Sequence, residues 1–322
     1  MMRWFKKVLE VVLSLLLLIF LTIVLLLRWP TESGQIINSN FAARGSFAKI
    51  PKMKVEVFET AASEAPEGFV VRGASLLKKK RMVYPAILVT HPKGSFLIEA
   101  GLGTAGPKEI QEGPWIFRTI NHFQLGKPLS AQRPDLTKEL KPDFALVTHV
   151  HWDHLSGLLD FPDVPIRMLA ADKAFALGQA HPSLHGINSD QMQNLQARIQ
   201  TLTLPDVPYE NFPQSLDLFG DQSVVLVGLP GHTPGSMGIF LNISSAKRFL
   251  IVGDAIYSVD AKGEPEARPL LTELFSDQDR AQARITRKKL EELIAHSNEI
   301  TLVPMHDPSA LEKLGKAAGS DS

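Results

Sequence analysis

The chain has no cysteine. Disulfides and thiolate metal ligands are therefore excluded, and nothing in the fold depends on the redox state of its compartment. Charge of one sign is not in excess either: 34 Lys and Arg stand against 34 Asp and Glu, with a pI near 7.2. Such a balance offers no electrostatic attraction to a polyanion, so no nucleic-acid partner is expected. No short-period repeat or low-complexity tract is present. What is there suits a packed protein: 322 residues, 44% hydrophobic, with 22 Gly and 22 Pro to make turns. Residues 30–322 read as one domain near the upper size for a single core.

Residues 1–29 are a separate matter. Arg3, Lys6 and Lys7 precede an apolar run from Val11 to Leu27, broken only by Ser14 and Thr22 and closed by Arg28-Trp29-Pro30. That run is long enough to cross a bilayer as a helix. A cleaved signal peptide has a shorter apolar core and a small-x-small cleavage site, and Leu25-Leu-Leu-Arg-Trp-Pro30 offers none. The segment is expected to be an uncleaved single-pass signal anchor. Its cationic excess on the N-terminal side holds that end in the cytoplasm and puts the rest outside the cell membrane, in the periplasm if the cell has one. Thr31 to Pro51, rich in Ser, Asn and Gly, reads as a tether.

Four runs of β-branched and aliphatic residues end on or near a potential metal ligand. They are Phe144–Thr148 before His149, Ser223–Gly228 before His232, Phe249–Gly253 before Asp254, and Ile300–Val303 before His306. The first opens His149-Val-His151-Trp-Asp153-His154. An H-x-H-x-D-H spacing arises by chance in about one chain in a thousand or more. Buried His and Asp are costly without partners, so clustered ones call for a ligand. In an extended or turning segment His149 and His151 lie on one side and reach a common ion. Asp153 and His154 come after the turn and reach a second. Each ion needs further ligands. His232 supplies a third histidine for the first, His306 a second histidine for the other, and Asp254 a bridge between them. The cofactor expected is thus a pair of divalent ions, zinc by default for His/Asp sites, with Fe, Mn and Co also compatible.

These residues resemble the metallo-β-lactamase-fold hydrolases. The likeness runs through five segments in the family's order: Phe96–Gly101, Thr148–His154, Gly228–Ser236, Gly253–Tyr257 and Val303–Asp307. It implies an α/β fold, an αββα sandwich of two mixed sheets flanked by helices, here behind an N-terminal transmembrane helix. One departure is that Glu99 stands where the family usually has Asp, a buried support near the site and not a ligand.

Two ions held close deprotonate a shared water near neutral pH, so no strong protein base is needed for attack on an ester, lactone or phosphoester. Asp153 is placed to relay a proton to the leaving alkoxide. Asp254-x-x-Tyr257 is similar to the segment in acyl-homoserine lactonases, which implies a phenol that hydrogen-bonds the substrate carbonyl. Glyoxalase II-like thioesterases differ at that segment, and the classical β-lactamases of the fold lack the bridging Asp. The expected activity is hydrolysis of a small lipophilic ester or lactone. A phosphodiesterase or thioesterase of the same fold is the alternative, because the ligand set is shared. A non-catalytic sensor or scaffold would have lost ligands, and none is lost.

Elsewhere, strands are expected at 54–58, 84–90 and 95–99, the last two as a hairpin across His91-Pro-Lys-Gly. The 101–130 segment carries Trp115, Ile116, Phe117, His122 and Phe123, and reads either as a lid over an apolar substrate or as a loop packed on its own aromatics. Residues 171–201 read as helical, with His181 and His185 as surface groups. Ser276 is expected to cap a helix carrying Asp277 and Asp279 in its first turn. Lys78-Lys-Lys-Arg81 reads as a solvated edge or a group near anionic headgroups.

Overall fold

The structure, a computed structural model, describes residues 2–30, 40–42 and 50–319. Most of the expected tether lies outside them. Twelve strands are present among the described residues: β1 (Lys54–Pro66), β2 (Lys79–His91), β3 (Gly94–Ala100), β4 (His122–Leu125), β5 (Phe144–Leu146), β6 (Ile166–Leu169), β7 (Ile199–Leu202), β8 (Ser215–Asp217), β9 (Val224–Gly228), β10 (Met237–Ser244), β11 (Lys247–Gly253) and β12 (Ile300–Pro304). The helices are α1 (Met2–Arg28), α2 (Gly106–Glu112), α3 (Trp115–Ile120), α4 (Leu129–Gln132), α5 (Trp152–Leu155), α6 (Ala170–Gly178), α7 (Ser189–Leu195), α8 (Leu270–Ser276), α9 (Arg280–His296) and α10 (Pro308–Gly319).

The strands form two mixed sheets, ordered β4-β1-β2-β3-β5-β6-β7 and β12-β11-β10-β9-β8. Alternation along the strands explains the layers. Ile87, Val89, Phe96 and Ile98 face the second sheet and join Leu226, Ile239, Leu250 and Leu302 in the interior of the sandwich. The intervening Ala86, Leu88 and Leu97 face the other way, against Leu155, Leu158, Ala176, Met192 and Leu195. Leu290 and Leu293 of α9, with Leu311 and Leu314 of α10, close the interior. This is the αββα arrangement that the resemblance implied.

The hairpin forms with Thr90 opposite Ser95 and His91 opposite Gly94, while β1 and β2 run well beyond the expected 54–58 and 84–90. Residues 171–201 are not one helix. Pro182 and Gly186, the latter at φ +68°, divide them into α6, a short turn and α7, before β7 begins. His181 is exposed, and His185 pairs with Gln278 at 2.8 Å. The helix expected to be capped by Ser276 is capped by Asp279, whose carboxylate accepts from Gln282 N; Ser276 ends α8. The cause is Asp277, whose carboxylate turns inward to buried arginines and so cannot lie in an exposed first turn. Lys79, Lys80 and Arg81 pair with Glu64, Glu266 and Glu59, in keeping with a solvated edge. α1 carries, within Trp4–Arg28, an apolar stretch long enough to cross a membrane.

Candidate metal centre

The loop after β5 explains the placement of its four polar residues. His151 has extended backbone, φ −66° and ψ 153°, and starts α5, so His149 and His151 lie on one side and Asp153 and His154 on the first turn beyond. Asp172 fixes this loop: its carboxylate accepts from Val150 N at 2.8 Å and Gly235 N at 2.7 Å, joining the His149 loop to the His232 turn. Burial pushes the Asp172 carboxyl up to about 6. Gly253 is required immediately before Asp254. Its φ is +53°, and a Cβ there would come within 2.7 Å of Thr148 Oγ1. Gly231 does the same for His232, since an added Cβ would strike Ala283 N at 2.2 Å.

The seven side chains singled out in the sequence converge as two groups: His149, His151, His232 and Asp254, and Asp153, His154 and His306. In the first, Nδ1 of His151 lies 3.0 Å from Nε2 of both His149 and His232. Asp254 turns one oxygen to each group. Oδ2 is 3.5 Å from His232 Nε2 and 3.9 Å from His149 Nε2, whereas Oδ1 is 3.2 Å from His306 Nε2 and 3.5 Å from His154 Nε2. Asp153 Oδ2 faces His306 Nε2 at 3.5 Å and His154 Nε2 at 3.7 Å.

Four of the five rings have a partner set against the nitrogen that faces away from the centre, as a ligand's should; the fifth, His151, has none at its buried Nε2. Nδ1 of His154 lies 2.8 Å from Glu99 Oε2, Nδ1 of His232 lies 3.2 Å from Asp277 Oδ1, and Nδ1 of His306 lies 2.9 Å from the Val83 carbonyl. His149 Nδ1 meets Thr148 Oγ1, which donates in turn to Glu99.

The electrostatics suit cations. Burial, reinforced by the neighbouring imidazoles, holds His149 and His151 well below the ordinary histidine range, so both present lone pairs. Burial opposes charge on His154 and His306 as well, but the carboxylates around them outweigh it and raise both. Nε2 of His154 and Oδ1 of Asp254, both buried, have no hydrogen-bond partner. Two divalent ions fit this donor set, and unpaired buried polar atoms are what such ions would satisfy.

Tyr257 lies beside one ring of each group, 6.3 Å from that of His232 and 6.2 Å from that of His306, and its hydroxyl hydrogen-bonds Ser276. Burial pushes its phenol up to about 12, so it remains protonated at neutral pH. The sequence reading missed what lies behind it. Arg268, buried, sits 3.7 Å over the Tyr257 ring and donates to Asp277 and to the Asp254 carbonyl. Arg287 joins Asp277 at 3.1 Å and Glu273 at 2.6 Å. Burial works against the charge of Asp277, but Arg268, His232 and Arg287 hold it well below the usual carboxylate range. Tyr84 was also missed: its ring is 5.1 Å from His306, and its hydroxyl meets Ser63 at 3.1 Å. From the 101–130 segment, Phe123 packs on Tyr84 and Trp152 beside the centre, while Trp115 and Ile116 are exposed. His122 is exposed on β4.

The chain is similar to known proteins in sequence and in fold. An N-acyl homoserine lactonase of Rhizobium radiobacter is 22% identical over 243 residues, covering 72% of this chain and 85% of its own. A human acyl-coenzyme A thioesterase is 27% identical over 129 residues, 36% of this chain and 42% of its own. In three dimensions, an N-acyl homoserine lactone hydrolase solved with N-hexanoyl-L-homoserine at its catalytic metal centre superposes with a TM-score of 0.60 at 16% identity, over 82% of this chain and 97% of that one. The family model of the metallo-beta-lactamase superfamily matches residues 82–296. The chain belongs to the metallo-beta-lactamase superfamily and is a metal-dependent hydrolase.

Proposed function

We propose that the chain is a membrane-anchored hydrolase of a small lipophilic lactone or ester, of the acyl-homoserine-lactone class, working at two divalent ions. His149, His151, His232 and Asp254 would hold the first, and Asp153, His154, His306 and Asp254 the second, with zinc the default metal. When bound, the pair supplies a deprotonated water at neutral pH and polarises the scissile carbonyl.

The chain's own groups do the rest. Tyr257, kept protonated by burial, donates to the oxygen that gains charge. Asp153, less buried than the histidines around it, passes a proton to the leaving alkoxide. Phe123, Tyr84 and Trp152 form an apolar wall beside the centre, suited to an acyl chain. The observation that carries this reading is Tyr257 placed against both His232 and His306. The lactonase relative supports it, and the thioesterase match supports a second reading, thioester hydrolysis at the same centre. The purified, metal-loaded full chain in detergent should be assayed against lactones, esters, thioesters and phosphodiesters. Fastest turnover of lactones or esters is expected; a clear preference for thioesters or phosphodiesters would overturn the assignment.

We further propose residues 1–29 as an uncleaved signal anchor and 30–322 as the catalytic domain, on the extracytoplasmic side. The apolar length of α1 and the placing of Lys6 and Lys7 against Arg28 support this.

A further inference from the structure

The last turns of α1 do not stand clear of the catalytic domain. Ile23, Val24 and Leu26 are partly covered and Leu27 is buried, although the helix before them is exposed. The cover comes from α8, which packs on α1, and from the loop before β2, whose Gly73 N–H donates to the Leu27 carbonyl at 3.3 Å. Residues 23–27 belong to the apolar stretch that would cross the bilayer. At 1.5 Å per residue they span about 6 Å, so whatever packs beside them sits at the depth of the outer membrane boundary and not above it.

The segments that meet there are dressed for that depth. Leu274 and Phe275 of α8 are 44% and 79% exposed, Leu77 on the Gly73 loop is 97% exposed, and Trp29 at the end of α1 is 49% exposed. Large side chains bared on α8, at the end of α1 and four residues beyond Gly73 are unusual for a surface facing water, and Trp at such a boundary is a recognised anchor.

α8 is also a wall of the metal centre. The residue after it, Asp277, holds His232, and Ser276 at its last position lies between Arg268 and Tyr257.

Resting on the reading of α1 as a membrane anchor, we infer that Leu77, Leu274 and Phe275 are seated in the lipid boundary, so that the active centre opens beside the bilayer and takes its lipophilic substrate from the membrane phase. A helix face of this kind inserts by about 5–10 Å.

The absence of cysteine makes the test direct. The full chain, carrying Phe275→Cys, Leu77→Cys or the control Leu140→Cys, is labelled with an environment-sensitive fluorophore and reconstituted into phosphatidylcholine and phosphatidylglycerol vesicles. Leu140 is also bared, 59% exposed, but precedes β5, at the opposite end of that strand from His149. Labels at Phe275 and Leu77 are expected to shift to the blue and to be quenched by nitroxide lipids, while the Leu140 label is quenched by aqueous iodide alone. Vesicle flotation after a high-salt wash reports on the anchor separately. A chain that floats but whose Phe275 and Leu77 labels behave like that at Leu140 overturns this inference and leaves the anchor standing. A chain that does not float overturns both. Leu274→Glu with Phe275→Glu supplies the functional arm: about a tenfold loss is expected on a long-chain ester dissolved in vesicles, as two inserted apolar side chains give way to charge, with a short water-soluble ester cleaved at the unaltered rate. An unaltered rate on the vesicle-dissolved ester, or an equal loss on both substrates, would overturn substrate capture from the membrane.

Discussion

Oε2 of Glu99 lies 2.8 Å from Nδ1 of His154, and Glu99 reaches it from a left-handed backbone at φ +56°. A side chain other than glycine held there costs about 1–3 kcal/mol, which the surrounding contacts must offset. The contacts are the ones that aim ligands: Glu99 takes the His154 ring on one oxygen and the Thr148 hydroxyl on the other, and Thr148 meets His149. Glu99→Gln keeps the size and removes the charge. It is expected to weaken metal binding by about 10–100-fold, read by chelator competition, and unchanged affinity would reduce Glu99 to a packing residue.

Asp254 turns Oδ2 to the first group and Oδ1 to the second. The wild-type chain is therefore expected to bind two ions, and Asp254→Ala to lose at least one of them together with most of its activity. Elemental analysis of the active wild type decides: a single tightly held ion would end the dinuclear assignment.

Tyr257→Phe removes one donor and leaves the stacking on Arg268 in place. It is expected to lower kcat by about ten- to a thousandfold, with metal content intact. An unaltered rate would make Tyr257 a packing aromatic and remove the main structural argument for a lactone over a thioester.

How much of this was legible in the sequence follows from locality. His149, His151, Asp153 and His154 declare themselves because one short segment carries them. His232, Asp254 and His306 are legible because each ends an apolar strand, and a strand end is where a sandwich can present a side chain without burying it in its core. Glu99 was legible as a support only through the family pattern. Asp277 and Arg268 were not legible. In the sequence, Asp277 follows a serine and precedes a helix, which fits a solvent-exposed cap, and only the tertiary meeting of α8 and α9 shows it enclosed by Arg268, Arg287 and His232. Residues 171–201 misled for the opposite reason. Helix-favouring stretches stand on both sides, but Pro182 and Gly186 interrupt them, and Gly186 packs behind His151, where an added Cβ would approach the ring to 2.8 Å.

The Arg268 network predicts a stability effect distinct from catalysis. Arg268 is buried and bonds Asp277 and the Asp254 carbonyl, so its removal leaves charge and a carbonyl insufficiently paired in the interior. Arg268→Ala is expected to destabilise the metal-free chain by about 3–5 kcal/mol, measured as a fall in the denaturant midpoint. A change within about 0.5 kcal/mol, the range of ordinary surface substitutions, would show that Arg287 alone satisfies Asp277.

Topology bears on which substrates the enzyme meets. Arg3, Lys6 and Lys7 flank the N-terminal end of α1 and Arg28 alone its C-terminal end, all close enough to the membrane ends to set orientation. The active centre is then expected outside the cytoplasm, where substrates that dissolve in or cross membranes are available and cytosolic thioesters are not. A reporter active only after export, fused behind Ser322, should be functional, and one that works only in the cytoplasm should be silent. The reverse pattern would place the centre among cytosolic metabolites, reject the assigned orientation, and move thioester hydrolysis ahead of lactone hydrolysis, since the metal centre itself serves either.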